Sequence, residues 1–104
     1  MDVSVIIVNY KTSRLLVDAI NSVFDKTEGI SFEVIVVDNH SQDDSEQLVR
    51  ERYGDRVIYL SLPKNIGFGR ANNEGVRIAK GRNILFLNPD TLLINNAIEI
   101  LSGC

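Results

Sequence analysis

The chain has 104 residues, which is enough for one compact domain. Its 44% hydrophobic and 24% charged residues are typical of a soluble globular domain. The formal net charge of -3 provides no basic surface for a nucleic-acid backbone and argues against nucleic acid as a partner. The same acidic balance would repel a phosphorylated ligand unless a divalent cation bridges the two.

The single cysteine, Cys104, can form neither an intrachain disulfide nor a zinc site, which favours a reducing compartment. The N-terminal residues show no signal-peptide pattern. The longest apolar runs, residues 5–8 and 84–87, are far too short to cross a bilayer, so we expect no transmembrane segment. These features predict a cytoplasmic protein, and peripheral association with the inner face of the membrane stays open.

The first two predicted elements are a buried strand and an amphipathic helix. Residues 3–8 form a near-continuous β-branched run, which is typical of a strand in a parallel sheet covered on both faces. Thr12 or Ser13 can cap the helix that follows. Its apolar stripe comprises Leu15, Leu16, Ala19, Ile20, Val23 and Phe24.

The next pair repeats this arrangement. Residues 34–37 form the second β-branched run, and a capping-box-like sequence predicts that the second helix opens at Ser41. Gly54 is a natural stop for this helix. Its charges suit the helix dipole, with acidic residues at the start and basic residues near the end.

The third and fourth strands are predicted over residues 57–62 and 84–87. The helix between them ends at Gly81, and a short helical pattern over residues 96–101 follows the fourth strand. One face of the third helix carries Phe68, Ala71, Asn72, Gly75, Val76 and Ala79.

The alternation of strands and helices predicts a Rossmann-like, three-layer α/β/α fold over residues 1–104, with a mostly parallel sheet. We expect the strand order 3-2-1-4. Ligands of such sheets bind at the carboxyl ends of the strands, near the point where the strand order reverses. In this chain that point lies between the first and fourth strands.

Polar residues follow each predicted strand, in clusters at residues 9–11, 38–41, 63–67 and 88–91. Because the carboxyl ends of parallel strands lie on one edge of the sheet, we expect the four clusters to converge. Convergence of all four at that edge favours a ligand site.

Plainer interpretations exist for each cluster taken alone. Asp38 with the next residue, and the Asn-Pro-Asp sequence at 88–90, could be ordinary turns. Tyr10 could be a packing residue, and we interpret His40 as an exposed loop residue without a ligand role.

The familiar glycine-rich nucleotide motifs do not follow the first strand, because residues 9–13 read Asn-Tyr-Lys-Thr-Ser. This excludes a dinucleotide fingerprint and a P-loop at that position, and a nucleotidyltransferase loop for a triphosphate. Gly67-Phe68-Gly69 resembles the start of a fingerprint but lacks the third glycine. A helix face on which Gly75 packs close to the sheet explains these glycines equally well.

Two carboxylates suggest specific chemistry at the strand ends. Asp90 can hold Mg²⁺ or Mn²⁺, which would bridge a diphosphate and stabilise the charge on a leaving nucleoside diphosphate. Asp38 could accept hydrogen bonds from a nucleobase imide or from ribose.

Four motifs in order resemble those of family 2 glycosyltransferases of the GT-A fold. Residues 3–10 resemble their first strand, and residues 33–41 resemble the second, with its Val-Asp-(Asp/Asn)-x-Ser pattern. Residues 65–75 resemble their Asn-x-Gly…Ala-x-Asn-x-Gly helix. Residues 87–91 resemble the Asn-Pro-Asp variant of the Asp-x-Asp motif, common in the rhamnosyltransferase-like branch.

The resemblance implies a site for a UDP- or dTDP-activated sugar, whose transfer to a glycan or lipid-linked acceptor would be inverting. Asp90 would coordinate the divalent cation alone, because Asn88 stands where the strict motif has its first aspartate. The residues implied in nucleotide-sugar binding are Val8, Tyr10, Asp38, Asn65, Gly67, Asn73, Asn88 and Asp90.

Family members continue well beyond the metal motif, into the region that binds the acceptor and carries the general base. The resemblance therefore implies that residues 1–104 are the N-terminal, donor-binding part of the domain, with no catalytic base of their own. We expect the isolated chain to bind nucleotide weakly and to transfer no sugar. Uncovered strand edges and apolar surface would favour self-association into a homo-oligomer.

Two other interpretations stay open from the sequence. The chain could be a non-catalytic nucleotide-binding module, or a structural domain in which the polar strand ends are only turns. The pair of Asp38 and Asp90 argues against the purely structural interpretation.

Overall fold

Four parallel strands form a single sheet in the order β3-β2-β1-β4. The computed structural model describes residues 1–27 and 29–87. In chain order the elements are β1 (Val3–Asn9), α1 (Ser13–Lys26), β2 (Phe32–Asp38), α2 (Ser45–Tyr53), a 3₁₀ turn (Gly54–Arg56), β3 (Val57–Ser61), α3 (Phe68–Ile78) and β4 (Asn83–Phe86). The predicted strand order and the mostly parallel sheet are confirmed.

The β1 strand lies at the centre of the described sheet and is buried along its whole length. It pairs with β2 over seven residues, from Val3 opposite Phe32 to Asn9 opposite Asp38. Its other side pairs with β4 over four residues. A strand covered in this way has no solvent-facing positions, which explains the continuous apolar sequence.

Alternate residues of the strands point to two separate cores. Val5 and Ile7 of β1 belong to the core beneath α1 and α2, while Ile6 and Val8 pack beneath α3. The predicted three layers are therefore present. Gly75 lies so close to the sheet that a Cβ atom there would stand 2.7 Å from Cγ2 of Ile6, which confirms the predicted close packing of this helix.

Tertiary hydrogen bonds explain why the prediction that α2 opens at Ser41 is wrong. The helix begins at Ser45, and the hydroxyl of Ser41 instead accepts a hydrogen bond from the backbone N–H of Lys11 at 2.8 Å. His40 and Gln42 have positive φ angles of 68° and 55°, so the chain cannot be helical there.

The predicted end of α3 at Gly81 is also wrong, because the helix ends at Ile78. Two members of the predicted apolar face of this helix, Phe68 and Val76, are exposed, and Ala71 and Gly75 alone are fully buried. Leu15 of the predicted α1 stripe is likewise exposed, although the rest of the stripe packs in the core. Helical periodicity predicts the buried side of a helix but not the width of its contact with the sheet.

The predicted helix over residues 96–101 lies outside the described residues. Within residues 1–27 and 29–87, no helix is long and apolar enough to span a membrane.

Glu46 links α2 to β3 and should make a small, pH-dependent contribution to stability. Its carboxylate accepts hydrogen bonds from the Arg50 guanidinium at 2.8 Å and from the Ser61 hydroxyl at 3.0 Å. These two bonds, that of Arg50 first, lower the pKa of Glu46. A lowered pKa in the folded state adds stability above the pKa of the unfolded chain, and this stability is lost as the pH falls through the lowered value.

We expect Glu46→Gln to lower the free energy of unfolding by about 0.3–0.5 kcal/mol at pH 7. The difference from the wild type should shrink as the pH falls below the usual glutamate pKa of about 4.3, and it should vanish once the carboxyl group of the folded protein is protonated. Urea unfolding between pH 7 and pH 3 measures it. Glu51→Gln, an exposed change on the same helix, is the matched control. Identical pH profiles for the two variants would contradict the assigned role of Glu46.

Candidate functional site

The carboxyl ends of three neighbouring strands meet at one edge of the sheet. Asn9 of β1 lies opposite Asp38 of β2, and Asp38 lies opposite Ser61 of β3. Three of the four predicted polar clusters therefore converge. The fourth, which contains Asn88 and Asp90, lies outside the described residues.

A cavity of about 330 Å³ lies at this edge. Its volume is within the usual range of small-molecule sites. Its lining residues come from the end of β1, the loops after β1, β2 and β3, and the start of α3: Val8, Tyr10, Thr12, Asn39, Asn65 and Phe68. The structure thus brings together three of the predicted site residues, Val8, Tyr10 and Asn65.

The loop after β1 is held by the side chain of Asn9, which is fully buried. Its amide nitrogen donates to the Ser41 hydroxyl at 3.2 Å, and its amide oxygen accepts from the Thr12 hydroxyl at 2.7 Å. The Ser41 hydroxyl also accepts a hydrogen bond from the backbone N–H of Lys11. Lys11 has a left-handed φ of 56°, and this bond helps to hold that conformation. These bonds fix the loop that presents Tyr10 to the cavity.

The loop after β3 is held by a second asparagine, Asn39. Its amide oxygen accepts from the Ile66 N–H at 2.9 Å, and its amide nitrogen donates to the Asn65 side-chain oxygen at 3.0 Å. The same Asn65 oxygen accepts from the Gly67 N–H at 2.9 Å. Gly67 has a φ of 87°, a conformation that favours glycine, and α3 begins at the next residue.

Asp38 lies behind the cavity wall and is not one of its lining residues. It is 7% exposed, and its carboxylate accepts from the Ser41 N–H at 3.1 Å, which closes the turn after β2. The Tyr59 hydroxyl is buried near it. Burial first, and then the charge of Asp38, raises the pKa of Tyr59, so this hydroxyl stays neutral. In this geometry Asp38 stabilises the loop, whereas Asn39 faces the cavity.

Gly67 and Asn73 complete the described part of the predicted site. Gly67 is adjacent to the lining residue Phe68, at the N-cap of α3. Asn73 is exposed on α3 and does not line the cavity.

Sequence reasoning missed three lining residues: Thr12, Asn39 and Phe68. Asn39 directly follows β2, and successive side chains of a strand point to opposite faces. This alternation could have indicated that Asn39 and Asp38 point in different directions. Phe68 carried a misleading signal, because its spacing from Ala71 and Gly75 suggested a buried position.

Two larger cavities, of about 450 and 540 Å³, lie at the surface of α1 and α2. They are lined by residues of α1 and α2 and of the turn before α2, with charged side chains of both signs. Neither contains a predicted site residue, and neither shares a lining residue with the cavity at the strand ends. We therefore take the smaller cavity as the candidate site.

The described residues do not form a metal site by themselves. Within residues 1–27 and 29–87, no group of three His, Cys, Asp or Glu side chains could hold a metal ion. The predicted ligand Asp90 lies outside these ranges.

Comparison with known sequences connects this geometry to a family. Residues 4–102 match the family model described as Glycosyl transferase family 2. The chain is 34% identical over 102 residues to the minor teichoic acid biosynthesis protein GgaB of Bacillus subtilis (strain 168), covering 94% of this chain and 11% of that protein. It is also 34% identical over 102 residues to the poly(ribitol-phosphate) beta-N-acetylglucosaminyltransferase TarP of Staphylococcus aureus (strain N315), covering 95% and 31%.

Solved structures of glycosyltransferases also match this chain. The fold is similar to S. aureus TarS in complex with UDP-GlcNAc, with a TM-score of 0.82 and 31% identity over 99% of this chain and 30% of that one. The chain thus spans less than a third of the length of these relatives. Its fold is the GT-A fold that the sequence predicted. Because the family model covers nearly all of its residues, the chain belongs to glycosyl transferase family 2.

Proposed function

We propose that this chain forms the donor-binding part of an inverting glycosyltransferase that uses a UDP- or dTDP-activated sugar. The observation that carries the proposal is the cavity at the strand ends, which joins an exposed aromatic ring, Tyr10, to the amide groups of Asn39 and Asn65. An aromatic ring stacks on any base, and amide groups recognise the polar edge of a base. None of the described lining residues is a carboxylate that would repel a phosphate.

The names of the relatives support a uridine donor and a polymeric acceptor. TarS has been solved with UDP and with UDP-GlcNAc, and TarP is named for transfer of N-acetylglucosamine to poly(ribitol-phosphate). GgaB is named for teichoic acid biosynthesis. We propose a glycan or lipid-linked acceptor of a cell-surface polysaccharide. The transferred sugar is a hexose or, as the Asn-Pro-Asp variant at residues 88–90 favours, rhamnose.

Asp90 is the residue that we propose to hold Mg²⁺ or Mn²⁺, next to Asn88 and the donor diphosphate. A bound divalent cation would offset the charge of the diphosphate and stabilise the departing nucleoside diphosphate. The described residues contribute the base-binding end of the same site.

The general base is not among the residues that line the described cavity, since Asp38 is buried and engaged in its own turn. We therefore propose that the isolated chain binds nucleotide weakly and transfers no sugar. We propose a cytoplasmic location, with the acceptor reached at the inner face of the membrane. Self-association is favoured by exposed apolar side chains on β4, Ile84 and Phe86.

Calorimetric titration of UDP and dTDP, with and without Mn²⁺, tests the proposed site. We expect Tyr10→Ala to weaken UDP binding roughly ten-fold, because the base loses its stacking partner. Asp90→Ala should remove the metal-dependent part of the binding and leave the metal-independent part. GDP is the control ligand, and it should bind more weakly than UDP.

Wild-type protein that binds neither UDP nor dTDP in either condition would contradict the proposal for this chain. Equal UDP affinity in the wild type and Tyr10→Ala would contradict the cavity as its location. Sugar transfer by the isolated chain would contradict the proposed inactivity. Nucleotide binding without transfer, even when the acceptor-binding region is supplied, would favour the alternative of a non-catalytic nucleotide-binding module.

A further inference from the structure

Phe68 is an exposed aromatic residue that belongs neither to the core nor to the predicted site. It is the first residue of α3, and 54% of its surface is exposed. The buried residues of the same helix, Ala71 and Gly75, make the contact with the sheet without it. The free energy that usually drives a phenylalanine into a core is thus not gained here.

The ring of Phe68 lines the same cavity as Tyr10, which is itself 44% exposed. Tyr10 belongs to the loop after β1, which the hydrogen bonds of Asn9 fix, and Phe68 directly follows the loop before α3, which the hydrogen bonds of Asn39 fix. A small cavity with two aromatic rings and a few polar groups suits a flat, partly apolar ligand.

The polar groups of the cavity limit which ligand edge can bind. The side-chain oxygen of Asn39 already accepts from Ile66, and that of Asn65 accepts from both Asn39 and Gly67. Their amide N–H groups retain donor capacity, because each side-chain amide nitrogen has two hydrogens. A ligand that presents carbonyl oxygens to the amide N–H groups of Asn39 and Asn65 therefore suits the cavity better than one that presents mainly N–H groups.

We propose that Phe68 binds the pyrimidine base of the donor, which stacks on Phe68 and Tyr10 while its carbonyl oxygens accept from the asparagine amides. This inference rests on the proposed function and names a residue that determines base specificity. Uracil and thymine carry two carbonyl oxygens around one N–H group. Guanine presents a ring N–H and an exocyclic amino group, which need two acceptors, whereas the Asn65 oxygen already accepts two hydrogen bonds and the Asn39 oxygen already accepts one.

Uridine is the appropriate probe, because it has the base but neither the diphosphate nor the transferred sugar. Ligand-observed NMR titration detects weak binding and reports the upfield shift of the base H5 and H6 protons between aromatic rings. We expect Phe68→Ala to weaken uridine binding roughly ten-fold and to reduce this shift. Phe68→Tyr keeps the ring and should retain both. Guanosine should bind the wild type at least ten-fold more weakly than uridine.

Phe86→Ala is the matched control, since Phe86 is 53% exposed but lies on β4 and does not line the cavity. It should bind uridine as the wild type does. Because Phe68 is exposed at a helix start, Phe68→Ala should fold, and circular dichroism of each variant verifies it.

The outcomes separate this inference from the proposed function. If Tyr10→Ala weakens uridine binding and Phe68→Ala does not, the role of Phe68 is overturned and the donor site stands. A wild type that binds UDP but not uridine also overturns the role of Phe68. If uridine binding depends on Phe68 but UDP and UDP-sugars bind no better than uridine, Phe68 binds a pyrimidine base as inferred, but the cavity is not a donor site and the proposed function fails.

Discussion

Gly81→Ala should lower the free energy of unfolding by about 3 kcal/mol or more, although it adds a single methyl group. A Cβ atom at Gly81 would lie 2.5 Å from the backbone nitrogen of Ser4 and 2.6 Å from the carbonyl carbon of Val3. Both atoms belong to β1, the buried central strand, so they cannot move aside cheaply.

The hydrogen bonds around Gly81 increase this expected cost. Its N–H donates to the Ser4 hydroxyl at 2.7 Å, and that hydroxyl donates to the Glu33 carboxylate at 2.5 Å. Glu33 also accepts the Lys80 N–H at 2.7 Å. Displacement of Gly81 would therefore break the connection that joins the segment after α3 to β1 and β2, and would leave a buried hydroxyl without its donor.

Gly69→Ala is the matched control, because it is the same substitution in the first turn of α3, where a new Cβ atom would meet nothing within 4 Å. It should be neutral or stabilise the protein by up to about 1 kcal/mol through helix propensity. Urea unfolding at pH 7 measures both variants. Equal stability of Gly81→Ala and Gly69→Ala would show that the close approach to β1 does not limit the fold.

Gly81 also shows which parts of the fold can be predicted from the sequence. Strand order, parallel pairing and layers follow from apolar runs that alternate with helical patterns, because each run must be buried on both faces. A glycine after a helical pattern is normally interpreted as a helix end, yet Gly81 is required by a contact with a strand 77 residues earlier in the chain. Local sequence contains no signal for such a contact.

The helix start at Ser41 was mispredicted for a related reason. The pattern from Ser41 to Asp44 satisfies the local rules for a cap, but the Ser41 hydroxyl bonds to Asn9 and Lys11 from another loop. Short polar side chains are equally suited to both roles, so only the folded geometry selects between them.

The candidate site was predictable in location but only partly in detail. The convergence of the strand ends, with Val8, Tyr10 and Asn65 at one cavity, follows from the topology. The division of roles between Asp38 and Asn39 does not, because it depends on which side chain the turn after β2 uses to close itself. The role of Asp90 and Asn88 stays a prediction.

Asn39 should be the most sensitive polar residue of the described site, although the sequence did not single it out. It is 4% exposed, and it connects the end of β2 to the loop that contains Asn65, Ile66 and Gly67. Without it, the N–H of Ile66 has no acceptor, and the loop before α3 loses two hydrogen bonds to the end of β2. A buried polar group that loses its partner costs about 1–3 kcal/mol.

We expect Asn39→Leu, which keeps a side chain of similar size, to lower the free energy of unfolding by about 2 kcal/mol. It should also weaken UDP binding by more than ten-fold, because Asn65 and Phe68 would no longer be held at the cavity. Urea unfolding and calorimetric titration measure the two effects. Asn73→Leu, an exposed change on α3, is the matched control and should alter neither quantity by a comparable amount.

A double-mutant cycle with Asn65→Ala isolates the contact between the two side chains. Because Asn39 and Asn65 share one hydrogen bond, the double variant should lose less stability than the sum of the two single variants. Strictly additive losses would show that Asn39 stabilises the loop through Ile66 alone. If Asn73→Leu instead weakened UDP binding as strongly as Asn39→Leu, the sequence-based role of Asn73 would stand, and the cavity would have to extend along α3.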